Sequence, residues 1–267
     1  MSIISLLSDF GHKDPYVAEM KAVILSINPQ AKIVDITHEI EKFNIRMGAY
    51  VLASAAPYFS PKTIHVAVVD PGVGTKRRPI IAETNHGIYV GPDNGLLMLA
   101  AHKEEITNVY TICNPKNMLT KISKTFHGRD IFAPAAAHLS KGIKPSDFGS
   151  AIRDYVFPEF AEAQSKGGKL LGEILHIDDF GNIISNISAK NIKDAGFREG
   201  DFLLVTLGNK TLNLQFCSAY GEVPAGAFLA LIGSGNFLEV AVNQGNASNV
   251  FKPEVGDIFS AYVVASR

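Results

Sequence analysis

Residues 64–82 read IHVAVVDPGVGTKRRPIIA, with a run typical of a buried strand at 64–69 and a second apolar run at 79–82. Between them a loop carries Asp70, Gly72, Gly74 and Arg77. A carboxylate and a guanidinium thus share yielding backbone at a strand end. That is where α/β proteins bind ligands, and glycines admit a ligand where Cβ atoms would block it. The alternative is a plain turn, for which Asp70-Pro71-Gly72 is good chemistry.

Outward from this loop the chain alternates. Strand patterns at 3–7, 32–36 and 64–69 are separated by helical patterns at 16–27 and 45–56. Such βαβ order predicts a mostly parallel sheet in a Rossmann-like α/β/α domain. Asp14 and Pro15 read as the cap and first position of the first helix, and Asn28-Pro29 as its end. Strands at 88–90 and 108–112 and helices at 96–102 and 130–140 extend the domain to residue 155. Residues 156–169 lose all periodicity and read as a linker. From 170 to 267 the pattern turns to short β runs at 173–177, 183–187, 202–207, 211–216, 228–232, 238–242 and 258–264, with one short helix at 189–195. This predicts a smaller β-barrel or sandwich domain.

Composition narrows the function. The 267 residues are 46% apolar, enough for two cores. With 25 basic and 26 acidic residues there is no electrostatic footprint for nucleic acid or an anionic membrane, so a small molecule is the expected partner. No apolar stretch is long enough to cross a bilayer and no secretory leader is visible. Only Cys113 and Cys217 are present, expected as inert core residues in a reducing cytoplasm.

Several polar groups stand out. Asp9, in SDFGHKD, ends the first strand, where a carboxylate can accept both hydroxyls of a ribose, and Asp14 follows it. Asp35, Thr37 and His38 of VDITHEI are expected to build turns and to support the site from behind, ahead of an exposed-looking Phe43. His38-Glu39 is not a zinc motif because the second histidine is missing. TFHGRD places His127 beside a glycine and ahead of a helix. In the second domain Asp178, Asp179, Gly181, Asn182 and Asn186 fall in one motif, and Ser234, Asn236, Asn243, Asn246 and Ala247 in another. These read either as barrel turns or as amide recognition of a base edge. Phosphate-loop, GxSxG, zinc-ligand and GxGxxG patterns are absent.

Taken in order, SDFGHKD, VDITHEI, VDPGVGTKR, VGPDNG, TFHGRD, DDFGN, GSGNFLEVAV and GNAS resemble the S-adenosyl-L-methionine (SAM) hydroxide adenosyltransferase family, also called SAM hydrolases. The likeness covers nearly the whole chain. The family is related to fluorinase and chlorinase. The resemblance implies hydrolysis of SAM to adenosine and L-methionine without metal or organic cofactor. It also implies a homotrimer whose sites lie between the N-terminal domain of one subunit and the C-terminal β-barrel of its neighbour. It carries the water-activating trio onto Asp70, Arg77 and His127, the ribose acid onto Asp9 with Asp14 beside it, and the ammonium-binding acid onto Asp178. Ser234 would meet the carboxylate, Asn182 and the Ala247 backbone the adenine, and Phe43 and Tyr220 would wall the pocket. Two positions depart from the halogenating relatives: Gly235 stands where they carry arginine, and Ile184 where they carry a large aromatic.

The chemistry suits these residues. The sulfonium leaves as a neutral thioether and needs no acid, so what the reaction lacks is a nucleophile. An Asp/Arg/His group can align a water, acidify it and take its proton, with His127 the expected base. A carboxylate at that place repels a halide. Halide transfer, a non-catalytic SAM or adenosine sensor, and a metal-dependent hydrolase using Asp9, Asp14 and His38 are the alternatives.

Overall fold

A computed structural model describes residues 3–208 and 210–264. The chain divides into two compact units, the first ending at Pro158 and the second beginning at Glu159.

The first unit is built on a six-stranded sheet. β1 (Ile3–Ser8), α1 (Tyr16–Ile27), β2 (Lys32–Thr37), α2 (Ile45–Ala55) and β3 (Ile64–Val68) follow one another as expected. β4 (Pro79–Thr84), β5 (Ile88–Pro92), α3 (Met98–Lys103), β6 (Ile106–Thr111) and α4 (Ala133–Ser140) complete it. The strand order is β2-β1-β3-β5-β4-β6. The first four strands pair in parallel, whereas β4 runs antiparallel to both β5 and β6. Alternate residues of β1 and β3 make one apolar face: Ile4, Leu6, Ile64, Val66 and Val68 pack with Met20, Ile24, Phe132, Ala136 and Phe148, while Ser5 and His65 are buried on the other. Burial of this kind is what a sheet covered by helices requires.

Local chemistry differs from expectation in three places. α1 starts behind Pro15, which has helical backbone angles, and no side chain caps it, so Asp14 is not its cap. Asn28 is extended, as a residue before proline must be, and the helix stops there. The helix expected at 130–140 opens as a π turn, Gly128–Phe132, before α4 begins. Cys113 is exposed rather than buried, because β6 is the sheet's edge strand and the residue lies just past its end; Cys217 is buried as expected.

The second unit is a closed barrel. β8 (Lys169–Ile177), β9 (Ile183–Ser188), β10 (Phe202–Leu207), β11 (Lys210–Cys217), β12 (Phe228–Ile232), β13 (Phe237–Val242) and β14 (Ile258–Val263) form its wall. The order β14-β10-β11-β12-β13-β9-β8 closes because β14 also pairs with β8, which removes the free edges. Its interior holds Leu170, Ile183, Leu203, Phe216, Ala230, Leu238 and Phe259. Within the stretch expected as a linker lies a short strand, β7 (Gln164–Lys166), paired with β8. α5 (Ala189–Asp194) starts on a Ser188–Asn191 capping box, and a four-residue helix, α6 (Ser248–Phe251), follows Ala247.

Candidate active site

The carboxyl ends of β1 and β3 open onto a pocket of about 360 Å³ in the first unit, lined by Asp9, Asp14, Phe43, Asp70 and His127 among others. Five of the sequence-predicted residues therefore come together, from segments far apart in the chain. Arg77 joins them through direct contacts.

The loop after β3 brings Arg77 back onto Asp70. Arg77 Nε donates to Asp70 Oδ1 at 3.0 Å and Oδ2 at 2.9 Å, and Nη2 also bonds Oδ2. Both side chains are nearly buried, at 9% and 5% exposure. Nη2 further bonds His127 Nδ1 at 2.7 Å. Guanidinium has only donors, so His127 Nδ1 accepts and the neutral ring carries its proton on Nε2. Burial, with the Arg77 charge second, holds the His127 imidazole below its ordinary range. Arg77 Nη1 is buried with no hydrogen-bond partner among the described residues.

Glycine makes this meeting possible. Gly74 has φ of +76°, and a Cβ there would lie 2.2 Å from the Lys124 carbonyl oxygen. The loop from Asp70 to Arg77 is thereby pressed against the segment that leads to His127. That segment is tied down from the other side. Buried Asp130 accepts from the Ser123 amide at 2.7 Å and pairs with Arg129 at 2.7 Å, and the π turn starts directly after His127. The adjacent Arg78 points elsewhere, to Asp93 and Asp154, so the VGPDNG motif serves as scaffold for the loop.

Asp9 is 6% exposed, and its Oδ2 accepts from the Phe43 amide at 2.9 Å. Phe43 holds a φ of +66° and is 68% exposed, so the chain bends sharply to give Asp9 that amide. Lys42 Nζ bonds the Asp9 carbonyl. Behind Asp9, Ser8 Oγ and His38 Nδ1 are 2.7 Å apart, and His38 Nε2 lies 3.2 Å from Asp35 Oδ1. His38 thus supports the end of β1 rather than facing the pocket. Among the described residues no group of three or more His, Cys, Asp or Glu is placed to hold a metal ion.

The remaining predicted residues lie in the second unit. Asp178 accepts from the amides of Phe180 (3.0 Å) and Asn182 (2.8 Å), and from Asn182 Nδ2 at 2.9 Å. Gly181, at φ +81°, lies against Asn246, and the Ser248 amide bonds its carbonyl, so Ala247 and the Asp178–Asn182 turn are neighbours. Tyr220 donates to Glu239 Oε1 at 2.5 Å. Glu239 is buried on β13, its carboxyl raised by burial first and by the Asp178 charge in part. Gly233, beside exposed Ser234, packs against that carboxylate. Sequence reasoning missed Lys42, Glu239 and the rings of Phe10, Tyr16 and Phe126, since a lone lysine, an alternating strand glutamate and scattered aromatics carry no local signal.

Comparison with known proteins bears on this geometry. Residues 4–149 match the model of the SAM hydroxide adenosyltransferase N-terminal domain, and residues 172–260 that of its C-terminal domain. A relative from Thermus thermophilus named (R)-S-adenosyl-L-methionine hydrolase is 39% identical over 92% of this chain and 94% of its own. A protein from Actinoplanes named fluorinase is 28% identical over 90% and 91%. The crystal structure of an uncharacterized conserved protein from Thermotoga maritima superposes with a TM-score of 0.89, at 38% identity, over 97% of this chain and 99% of that one.

Proposed function

Since the chain belongs to the SAM hydroxide adenosyltransferase family, we propose that it hydrolyses S-adenosyl-L-methionine to adenosine and L-methionine, with the reaction centred on Asp70, Arg77 and His127. The observation that carries the reading is the buried contact of Arg77 with both Asp70 and His127.

The roles follow from donors and acceptors. A water held between these groups forms its O–C5′ bond as the C5′–S bond breaks, and the electron pair leaves on sulfur, which becomes a neutral thioether. The water's proton needs an acceptor. His127 Nδ1 is taken by Arg77, and accepting at Nε2 would demand the tautomer that sets an Nδ1–H against the Arg77 donor. The base role therefore moves from His127 to the Asp70 carboxylate. His127 Nε2–H and Arg77 orient the water and stabilise negative charge developing on it.

Asp9, with Asp14 nearby, is assigned to the ribose hydroxyls. Asp178 is assigned to the substrate ammonium, Ser234 to its carboxylate, Asn182 and the Ala247 backbone to adenine, and Phe43 and Tyr220 to the walls. In the homotrimer belonging to this reading, the residues of the second unit act for a neighbouring subunit. No metal or organic cofactor is required. A cytoplasmic place belongs to the same reading, and Cys113 and Cys217 are free thiols. Among the described residues no helix is long and apolar enough to cross a membrane.

The test is incubation of the purified protein with SAM, with and without EDTA and chloride, and chromatography of the products. Adenosine plus methionine, unaffected by either addition, is expected. 5′-Chloro-5′-deoxyadenosine would mean halide transfer, loss of turnover with EDTA a metal enzyme, and bound but unchanged SAM a sensor. Light scattering tests the trimer: an active monomer at low concentration overturns it.

A further inference from the structure

One side of the pocket is aromatic. Phe10, Tyr16 and Phe126 all line it, and each ring touches the other two: centroids lie 5.8 Å apart for Phe10–Tyr16, 5.6 Å for Phe10–Phe126 and 5.1 Å for Tyr16–Phe126. The interplanar angles are 59°, 79° and 78°, so the three rings stand steeply tilted to one another rather than stacked. Three elements contribute them: the end of β1, the first turn of α1 and the strap before the π turn. Gly128 permits the approach, since a Cβ there would meet the Phe126 ring at 3.1 Å and the Phe10 ring at 3.4 Å. Tyr16 nevertheless remains 43% exposed.

Aromatic faces carry partial negative charge and attract cations, above all cations with a thin hydration shell. Phe126 already takes one, the Arg129 guanidinium, whose Cζ lies 5.1 Å from the ring centroid. Asp9, Asp14 and Asp70 border the same pocket with Lys42, and Arg77 pairs with Asp70, so an acidic excess remains that adds to its preference for positive charge. The substrate read for this site under the proposed function is itself a cation at sulfur.

Resting on that reading, we propose that Phe10, Tyr16 and Phe126 form a sulfonium-recognising wall that sets specificity for the charged substrate over its neutral thioether analogue. The wall acts on the ground state. As the C–S bond breaks, the positive charge on sulfur fades and the attraction fades with it. The rings therefore stabilise bound substrate more than the transition state, so they tighten binding without speeding the chemical step, and they release methionine once its sulfur is neutral.

The test uses Tyr16→Leu and Tyr16→Phe in the full-length protein. Binding of SAM and of S-adenosyl-L-homocysteine is measured by calorimetry in a His127→Ala background, and kcat and KM with His127 intact. Tyr16→Leu is expected to weaken SAM binding on the order of tenfold, to leave S-adenosyl-L-homocysteine within twofold and to raise kcat as KM rises, while Tyr16→Phe keeps native affinity. Equal change for both ligands, or none for SAM, overturns the wall. A wild-type protein that binds both ligands with equal affinity does the same. Failure of the hydrolase reading shows separately, as no adenosine from SAM with the wild-type protein.

Discussion

Among the described residues Asp70 is the only carboxylate that pairs with Arg77, so replacing it by alanine leaves a guanidinium of 9% exposure whose remaining hydrogen-bond partner among them is a histidine nitrogen. Breaking a buried ion pair from one side costs about 3–5 kcal/mol, because the desolvated charge loses its compensation. With a urea m-value of roughly 2–3 kcal/mol/M, the unfolding midpoint should fall by roughly 1–2 M. Arg77→Met alone should cost a similar amount, since it strands Asp70. The double substitution Asp70→Ala/Arg77→Met removes both charges and should recover most of the loss, giving a coupling energy of several kcal/mol. Activity behaves differently: adenosine formation should be lost in all three variants. The assay is urea denaturation followed by circular dichroism, beside chromatographic measurement of adenosine. Single substitutions that each cost under about 1 kcal/mol and simply add in the double would refute the reasoning, because the pair would then behave as a solvated surface bridge.

Three further outcomes follow from the structure. Gly74→Ala must accept a left-handed backbone and a clash with the Lys124 carbonyl, so it should lose about 1–3 kcal/mol and most of its turnover together; a thermal melt and a kcat measurement check this, and an unchanged kcat would separate the loop from His127. His65 is fully buried, bonds Ser5 Oγ and has its pKa pushed down to about 4 by burial. Its unfolded form takes a proton near the ordinary value of 6.5. Stability should therefore fall as pH drops from about 6.5 to 4, by about 3 kcal/mol, and His65→Leu should flatten that slope in urea midpoints measured across the range. Turnover needs neutral His127, whose pKa is lowered, so kcat should hold at neutral pH and fall only below the ordinary histidine range; Arg77→Lys, which moves the charge away from Nδ1, should shift that acid limb upward.

Most secondary structure was legible because it rests on local patterns: short apolar-rich runs for β1 and β3, alternation for the barrel strands, Asn28-Pro29 for the end of α1. Where tertiary packing overrides local preference, the reading changed. Asp14 lost its role as cap, β4 turned antiparallel between β5 and β6, and the segment directly after His127 wound as a π turn that contains buried Asp130. The trio of Asp70, Arg77 and His127 was named from its motifs, but the direction of the hydrogen bond that fixes the histidine tautomer was not.

From residue order alone come the two domains' element types, the glycine loop after β3, and the polar groups worth watching, because each depends on neighbours a few positions away. Only the folded chain decided that Gly74 would press its loop on Lys124 and bring Arg77 to a histidine fifty positions on. The same holds for Phe10, Tyr16 and Phe126, three scattered rings that become one wall. Such meetings are set by how strands pair and helices pack across the whole unit, and no local stretch of sequence encodes that distance.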